Sequence, residues 1–196
     1  NNHALATIGF SLARPPLHRA VNHQIHSIRL AIAELLALGY RRVGVVVSRH
    51  ADSRVERNWL SSVLLMQHEH AGTDTRISLL SEDQIDRRTL LAWLRQQRPE
   101  VVVTTGDILP DTLPHVGGRD AARVGFVHLH LTPDLADCSG IDQNNERVGA
   151  AAVDLVVEQL HGNSFGVPEN PKTVLIEGRW VPGTTAPGPA GLAASK

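Results

Sequence analysis

Residues Ala31–Val46 read AIAELLALGYRRVGVV, and the change of pattern inside this stretch decides the fold class. Its first half completes an apolar stripe of Ile25, Ile28, Ile32, Leu35 and Leu36, at the three- and four-residue spacing of one helix face. Gly39 follows, and a glycine just past the last turn supplies the left-handed conformation that ends a helix. After Arg41-Arg42 the run VGVVVS, Val43–Ser48, is β-branched without polar alternation. A strand buried on both faces of a parallel sheet reads this way.

Working outward, the same alternation continues. A helix is predicted over Arg54–His70, a strand over Arg76–Leu80, a helix over Asp83–Gln97 and a strand over Val101–Thr105. Ser81 and Gln84 have the spacing of a capping box for the second of these helices. Residues 106–122 carry two prolines and three glycines, so the helix due there is short or broken. Strands follow over Arg123–His130 and around Ser139–Asp142. The helix over Asn145–His161 turns Val148, Ala152, Leu155 and Val156 inward, and Lys172–Val181 reads as one closing strand. Toward the amino end, Ala4–Phe10 is a short strand that stops before Pro15-Pro16. Strand and helix alternating in this order predict an α/β fold: a Rossmann-like parallel sheet with helices on both faces. The segment PGTTAPGPAGLAASK, Pro182–Lys196, has no apolar periodicity, and residues 186–196 are expected to form a flexible tail.

Bulk properties narrow the function. Nineteen basic against twenty acidic side chains leave a net charge of −1, which gives no surplus to hold a phosphate backbone. The single cysteine, Cys138, allows no internal disulfide and fits a reducing, cytoplasmic setting. No apolar run approaches the ~20 residues needed to cross a bilayer. The opening NNHALATIGF lacks both an initiator Met and the pattern of a signal peptide, so the chain reads as a fragment.

Chemistry-bearing motifs are scarce. Of eleven histidines, only the pair His128 and His130 combines close spacing with a shared face, and zinc would need further ligands from elsewhere. No metal and no cofactor are expected. There is no Gly-x-Ser-x-Gly elbow, Cys138 has no basic neighbour in sequence, and Gly117-Gly118 lacks the remainder of a phosphate loop, so the chain reads as no enzyme. What recurs instead is polarity at strand ends: Ser48-Arg49-His50-Ala51-Asp52, Ser81-Glu82-Asp83, Thr104-Thr105-Gly106-Asp107 and His128-Leu129-His130. Open α/β sheets bind ligands beyond the carboxyl ends of their strands.

Three segments resemble the effector-binding core of the LacI/GalR family of transcription regulators. AIAELLALGYRRVGVV is similar to the family's helix, turn and strand. SGIDQNNERVGAAAVDLVVEQLHG, Ser139–Gly162, resembles the strand, polar turn and Gly-Ala helix that lead to its other lobe, and KTVLIEGRWVPGTT, Lys172–Thr185, resembles its closing strand. The resemblance implies a type I periplasmic-binding-protein-like fold, with one lobe nearly complete and the other partial. It assigns residues 1–12 and 144–162 to the remnant of the amino-terminal lobe, and 13–143 with 163–185 to the carboxy-terminal one. Connections would then lie at Leu12–Arg14, Gln143-Asn144 and Gly162-Asn163.

The function it implies is sensing of a small-molecule effector, a carbohydrate by family habit. Operator DNA would be reached only through a headpiece absent from this sequence, in a homodimer. An extracytoplasmic solute-binding protein is the alternative with the same fold. The ligand-binding candidates are Phe10, Arg54, Arg57, Trp59, Asp107, His128 and Asn145. Trp59 stands where the family commonly places an arginine. An indole there could stack on a sugar ring, with Arg54 or Arg57 supplying charge, or could simply pack in the core. Residues 106–122 also lack a helix that the family uses in dimer contacts.

Overall fold

The computed structural model describes residues 3–106 and 124–189. Two sheets organise them. In the larger, the strands β3 (Arg42–Val46), β4 (Arg76–Leu80), β5 (Val101–Thr104), β6 (Gly125–His128), β7 (Gly140–Asp142) and β9 (Arg179–Val181) lie in the order β4-β3-β5-β6-β7-β9. All neighbours pair in parallel except β7 with β9. The smaller sheet has the order β1-β2-β8, built from β1 (Ala6–Ile8), β2 (His18–Asn22) and β8 (Thr173–Ile176), all parallel. No helix among the described residues is long and apolar enough to cross a membrane.

The apolar run of β3 is central because successive side chains serve opposite faces. Val43, Val45 and Val47 join Val101 and Val103 under α1 (Gln24–Ala37) and α3 (Asn58–Glu69), with Ile28, Ile32, Leu35, Val63 and Met66. Val46 and Val102 point the other way, to Leu90, Trp93 and Leu94 of α4 (Arg87–Gln97). Gly44 lies on this second face. A Cβ there would sit 2.6 Å from Trp93 Cη2 and 3.1 Å from Pro99 Cβ, so the indole occupies the space that a side chain would need. As the sequence predicts, α1 ends at a left-handed Gly39, where the Tyr40 amide donates back to the Leu35 carbonyl at 3.1 Å.

In the smaller unit α5 (Asn145–His161) lays Val148 and Leu155 on Ala20, flanked by Ala6, Val174 and Ile176. Gln159, buried on the same helix, accepts from the Leu5 amide and donates to the Leu5 carbonyl, both at 3.0 Å. Its amide thereby satisfies the backbone just ahead of β1 as a neighbouring strand would.

Several expectations need correcting. The helix expected over Arg54–His70 begins only at Asn58, as α3, because Glu56 and Arg57 take left-handed φ values of 56° and 58°, and a separate short helix, α2 (Arg49–Ser53), precedes it. Asp86, not Ser81, caps α4 by accepting from the Thr89 amide at 2.7 Å. The closing strand is two: Thr173–Ile176 pairs with β2 in the smaller sheet, and Arg179–Val181 pairs with β7 in the larger. Gly178 lies between them, pressed so closely on the end of β7 that a Cβ would be 2.6 Å from Ile141 Cγ2.

Pairing thus places His18–Asn22 and Thr173–Ile176 with the smaller sheet, unlike the divisions at 12/13 and 162/163 that the family resemblance implies. Residues 186–189 are not a flexible tail. Ala186 is a core residue at 3% exposure, and the Gly188 amide donates to the buried Tyr40 hydroxyl at 3.1 Å. Thr185 exchanges hydrogen bonds with the backbone of Phe126. Residues 190–196, like the shortened stretch between β5 and β6, lie outside the described residues apart from Gly106.

The turn between α1 and β3 is held by Glu100, whose carboxylate accepts from the Arg41 and Arg42 amides at 2.8 and 2.9 Å. Partial burial pushes its carboxyl up, but those two amide bonds and both guanidinium charges outweigh it and hold the group below the usual glutamate value. A lowered carboxyl contributes stability that is present above the unfolded value near pH 4.3 and is lost as pH falls through the folded value. Glu100→Gln should therefore cost about 1–2 kcal/mol at pH 7, with the gap to the parent closing in urea titrations below about pH 4. Gly44→Ala should lower the urea midpoint by about 1–3 kcal/mol equivalent at an unchanged slope, since overpacking is the only change.

Candidate functional site

Three lengths of chain connect the two sheets: Asn22-His23 from β2 into α1, Gln143-Asn144 from β7 into α5, and Glu177-Gly178 from β8 into β9. They are bonded to one another. Asn22 Nδ2 donates to the Gln143 carbonyl at 2.8 Å, the His23 amide to the Ile176 carbonyl at 2.7 Å, and Asn144 Nδ2 to the Glu177 carbonyl at 2.8 Å. Asn144 itself is left-handed, with φ 53°, which asparagine tolerates better than most residues. Its amide bonds to Asp142, opposed by slight burial and helped by the Arg179 guanidinium at 2.8 Å, and this holds the Asp142 carboxyl below its ordinary value.

Beside these connections the carboxyl ends of the larger sheet's strands meet the smaller unit at two places. After β6, His130 Nε2 lies 3.1 Å from Asn145 Nδ2 in the first turn of α5, and Gln143 Nε2 donates to the Leu129 carbonyl at 2.6 Å. After β3, Arg54 reaches Ser11 Oγ with Nε and Nη2, both at 3.4 Å. Next to that contact an open depression of about 900 Å³ is lined by Ser48, Arg49, His50, Ser53, Arg57, Asp83 and Gln84, which follow β3 and β4.

The sequence candidates divide accordingly. Asn145 accepts from Asn22 Nδ2 at 3.3 Å as well as facing His130, so it stands among the connections. His128 is buried at the end of β6, with Nδ1 2.6 Å from the His130 carbonyl. Arg57 lines the depression and Arg54 bridges to Ser11. Phe10 lies beneath the Arg19 guanidinium, 5.8 Å from its ring centre, within the range of a cation–π contact. Asp107 lies outside the described residues.

Trp59 is not an open stacking face. It is 7% exposed, belongs to the core under α1, and donates its indole N–H to Gln24 Oε1 at 3.0 Å. The reason is the Asp52 carboxylate. Buried at 2% exposure, it accepts from the Trp59 and Leu60 amides at 3.1 and 3.2 Å, capping α3 and turning its first residues inward.

Sequence reasoning missed Asn22 and Gln24 because it missed β2, which Asn22 ends and Gln24 follows. The strand-end rule did pick out the segments that contain Ser48, Arg49, His50 and Asp83. Among the described residues no group of three or more His, Cys, Asp or Glu is placed to hold a metal ion.

No protein-family model matches the chain, and no curated protein matches it in sequence. Solved structures do match in fold. A LacI transcriptional regulator from Rhodococcus species aligns with a TM-score of 0.73 at 16% identity, over 95% of this chain and 70% of that one. A LacI family transcriptional regulator from Enterococcus faecium with bound ribose aligns at 0.64 and 14%, over 93% and 70%. The complex of the transcriptional regulator CelR with cellobiose aligns at 0.62 and 16%, over 92% and 58%. The chain therefore has the periplasmic-binding-protein-like α/β fold of LacI-type regulators, with parallel-dominated sheets in two units.

Proposed function

We propose that the chain is the effector-sensing part of a LacI-type transcription regulator and that its effector is a carbohydrate. The observation that carries this reading is the meeting of the larger sheet's strand ends with the smaller unit, at Arg54–Ser11 and His130–Asn145, beside three mutually bonded connections. A ligand seated there touches both units and favours the relative angle at which both contact it. A ligand shifts a conformational equilibrium only through such differential contact. The fold neighbours solved with bound ribose and in complex with cellobiose support a sugar.

In the intact regulator the change of angle would alter the spacing of two headpieces in a homodimer, and hence DNA affinity. With a net charge of −1, this part leaves DNA contact to the headpiece. A cytoplasmic setting suits the one thiol, Cys138. Burial, then the charges of Asp137 and Asp134, push that thiol above its ordinary value, which makes it a poor nucleophile and favours sensing over catalysis.

A thermal-shift screen of aldoses, oligosaccharides and their acidic derivatives tests the reading. A sugar at a hundredfold its dissociation constant should stabilise the chain by about 2.7 kcal/mol, a rise of roughly 5–10 °C in melting temperature for a domain of this size. Turnover of any stabilising compound, or the absence of a shift across the whole screen, would overturn it.

A further inference from the structure

The depression after β3 and β4 carries side chains unlike those that grip a neutral sugar. A neutral ring is held by an aromatic face against its apolar side and by carboxylates that accept from its hydroxyls. Here the one aromatic residue near the start of α3, Trp59, is spent in the core with its N–H on Gln24. The nearest buried carboxylate, Asp52, is spent on the amides of Trp59 and Leu60.

What remains is cationic and donating. Among the described residues the Arg57 guanidinium has no hydrogen-bond or ion-pair partner, although Arg57 lines the depression. Its backbone, by contrast, is fixed: the left-handed φ of 58° and the amide bond to the Asp52 carbonyl at 2.8 Å anchor the residue at the start of α3. Arg49, ion-paired with Glu82 at 3.6 Å, and His50 line the same space. Ser48 Oγ accepts from the Ala51 amide, which leaves its hydroxyl hydrogen to donate. Asp83 and Gln84 line the β4 side and can bond hydroxyls.

Arg49 is paired with Glu82, so Arg57 is the guanidinium of the depression that has no carboxylate partner among the described residues, and the Ser48 hydroxyl adds a donor beside it. A guanidinium fork matches the paired oxygens of a carboxylate or phosphate. We infer that the effector is a carbohydrate bearing an oxyanion, a carboxylate or a phosphate, whose charged group sits on Arg57 with Arg49 and His50 beside it. Asp83 and Gln84 take the hydroxyls of the sugar portion. The inference rests on the sensing reading above and narrows its ligand class.

Calorimetric titration separates the possibilities. Glucose, glucose 6-phosphate, gluconate and inorganic phosphate, and the corresponding ribose set, are titrated into the parent chain and into Arg57→Gln, Arg57→Lys and, as a distant control, Arg98→Gln. A phosphate ester or an aldonate should bind at least tenfold more tightly than its neutral parent, and the stronger of the two identifies the oxyanion. Arg57→Gln should weaken that binding tenfold or more at an unchanged unliganded melting temperature. Arg57→Lys should fall between, and Arg98→Gln should match the parent.

Neutral sugars binding as tightly as their acidic forms, with Arg57→Gln indifferent, would overturn the oxyanion and leave carbohydrate sensing standing. Inorganic phosphate binding that depends on Arg57 while no sugar derivative binds better would keep the oxyanion site and remove the carbohydrate.

Discussion

The proposed sensing role depends on three connections between the sheets that are bonded to each other. A backbone leaving a sheet has donors and acceptors that no strand satisfies, and burying them unpaired is costly. Here the asparagines solve this locally: Asn22 donates to the backbone of the middle connection and Asn144 to that of the third. These bonds tie connection to connection instead of core to core. Under the proposed function, changes of φ and ψ at Asn22-His23, Gln143-Asn144 and Glu177-Gly178 would turn one unit against the other while both cores stay packed. Hinges of this kind, a few element-terminal residues that absorb the rotation, are how two-unit binding proteins close.

The two units are unequal in what holds them. The larger sheet is covered on both faces, and its core runs continuously from Ile28 through the strands to Val63 and Met66. The smaller one rests on Ala20, Val148 and Leu155 with a rim of alanines and β8 side chains. It relies more on polar pairing, such as the Gln159 amide against Leu5 and the contact of Lys172 with Glu158 on the surface. Exposed pairs of the latter kind add little. Thin apolar burial makes the smaller unit the one expected to open first in hydrogen exchange.

Much of this architecture was readable where the pattern is long and regular. The helix through Ile28, Ile32 and Leu35 and the helix Asn145–His161 follow from a periodic buried face, and the strand after Arg42 follows from an unbroken β-branched run buried on both faces. β2 was not readable, since His18, Arg19 and Asn22 are polar and its buried pair, Ala20 and Val21, is short. Only its pairing between β1 and β8 makes it a strand. The split of Lys172–Val181 was hidden for a similar reason: one extended run serves two sheets, and the single residue that marks the crossing, Gly178, reads in sequence as an ordinary turn. Proline and glycine content made residues 186–189 look mobile, whereas Ser139 Oγ and the Tyr40 hydroxyl satisfy their amides.

The site was legible as a set of strand ends and illegible as a set of roles, and Asp52 explains why. As part of a polar loop after β3, it reads as one more ligand-facing carboxylate. In the fold it is buried, and α3 starts at Asn58 instead of Arg54 with its first turn bonded to this carboxylate. The left-handed turn at Glu56-Arg57 brings the Trp59 and Leu60 amides onto its oxygen. One consequence is that the indole goes into the core; the other is that the arginine two residues earlier is left at the rim of the depression. An acidic residue that satisfies a helix terminus thus withdraws both itself and an aromatic ring from the depression and leaves Arg57 lining it. The polarity of the depression is set in this way by a backbone requirement, which a list of polar residues does not reveal.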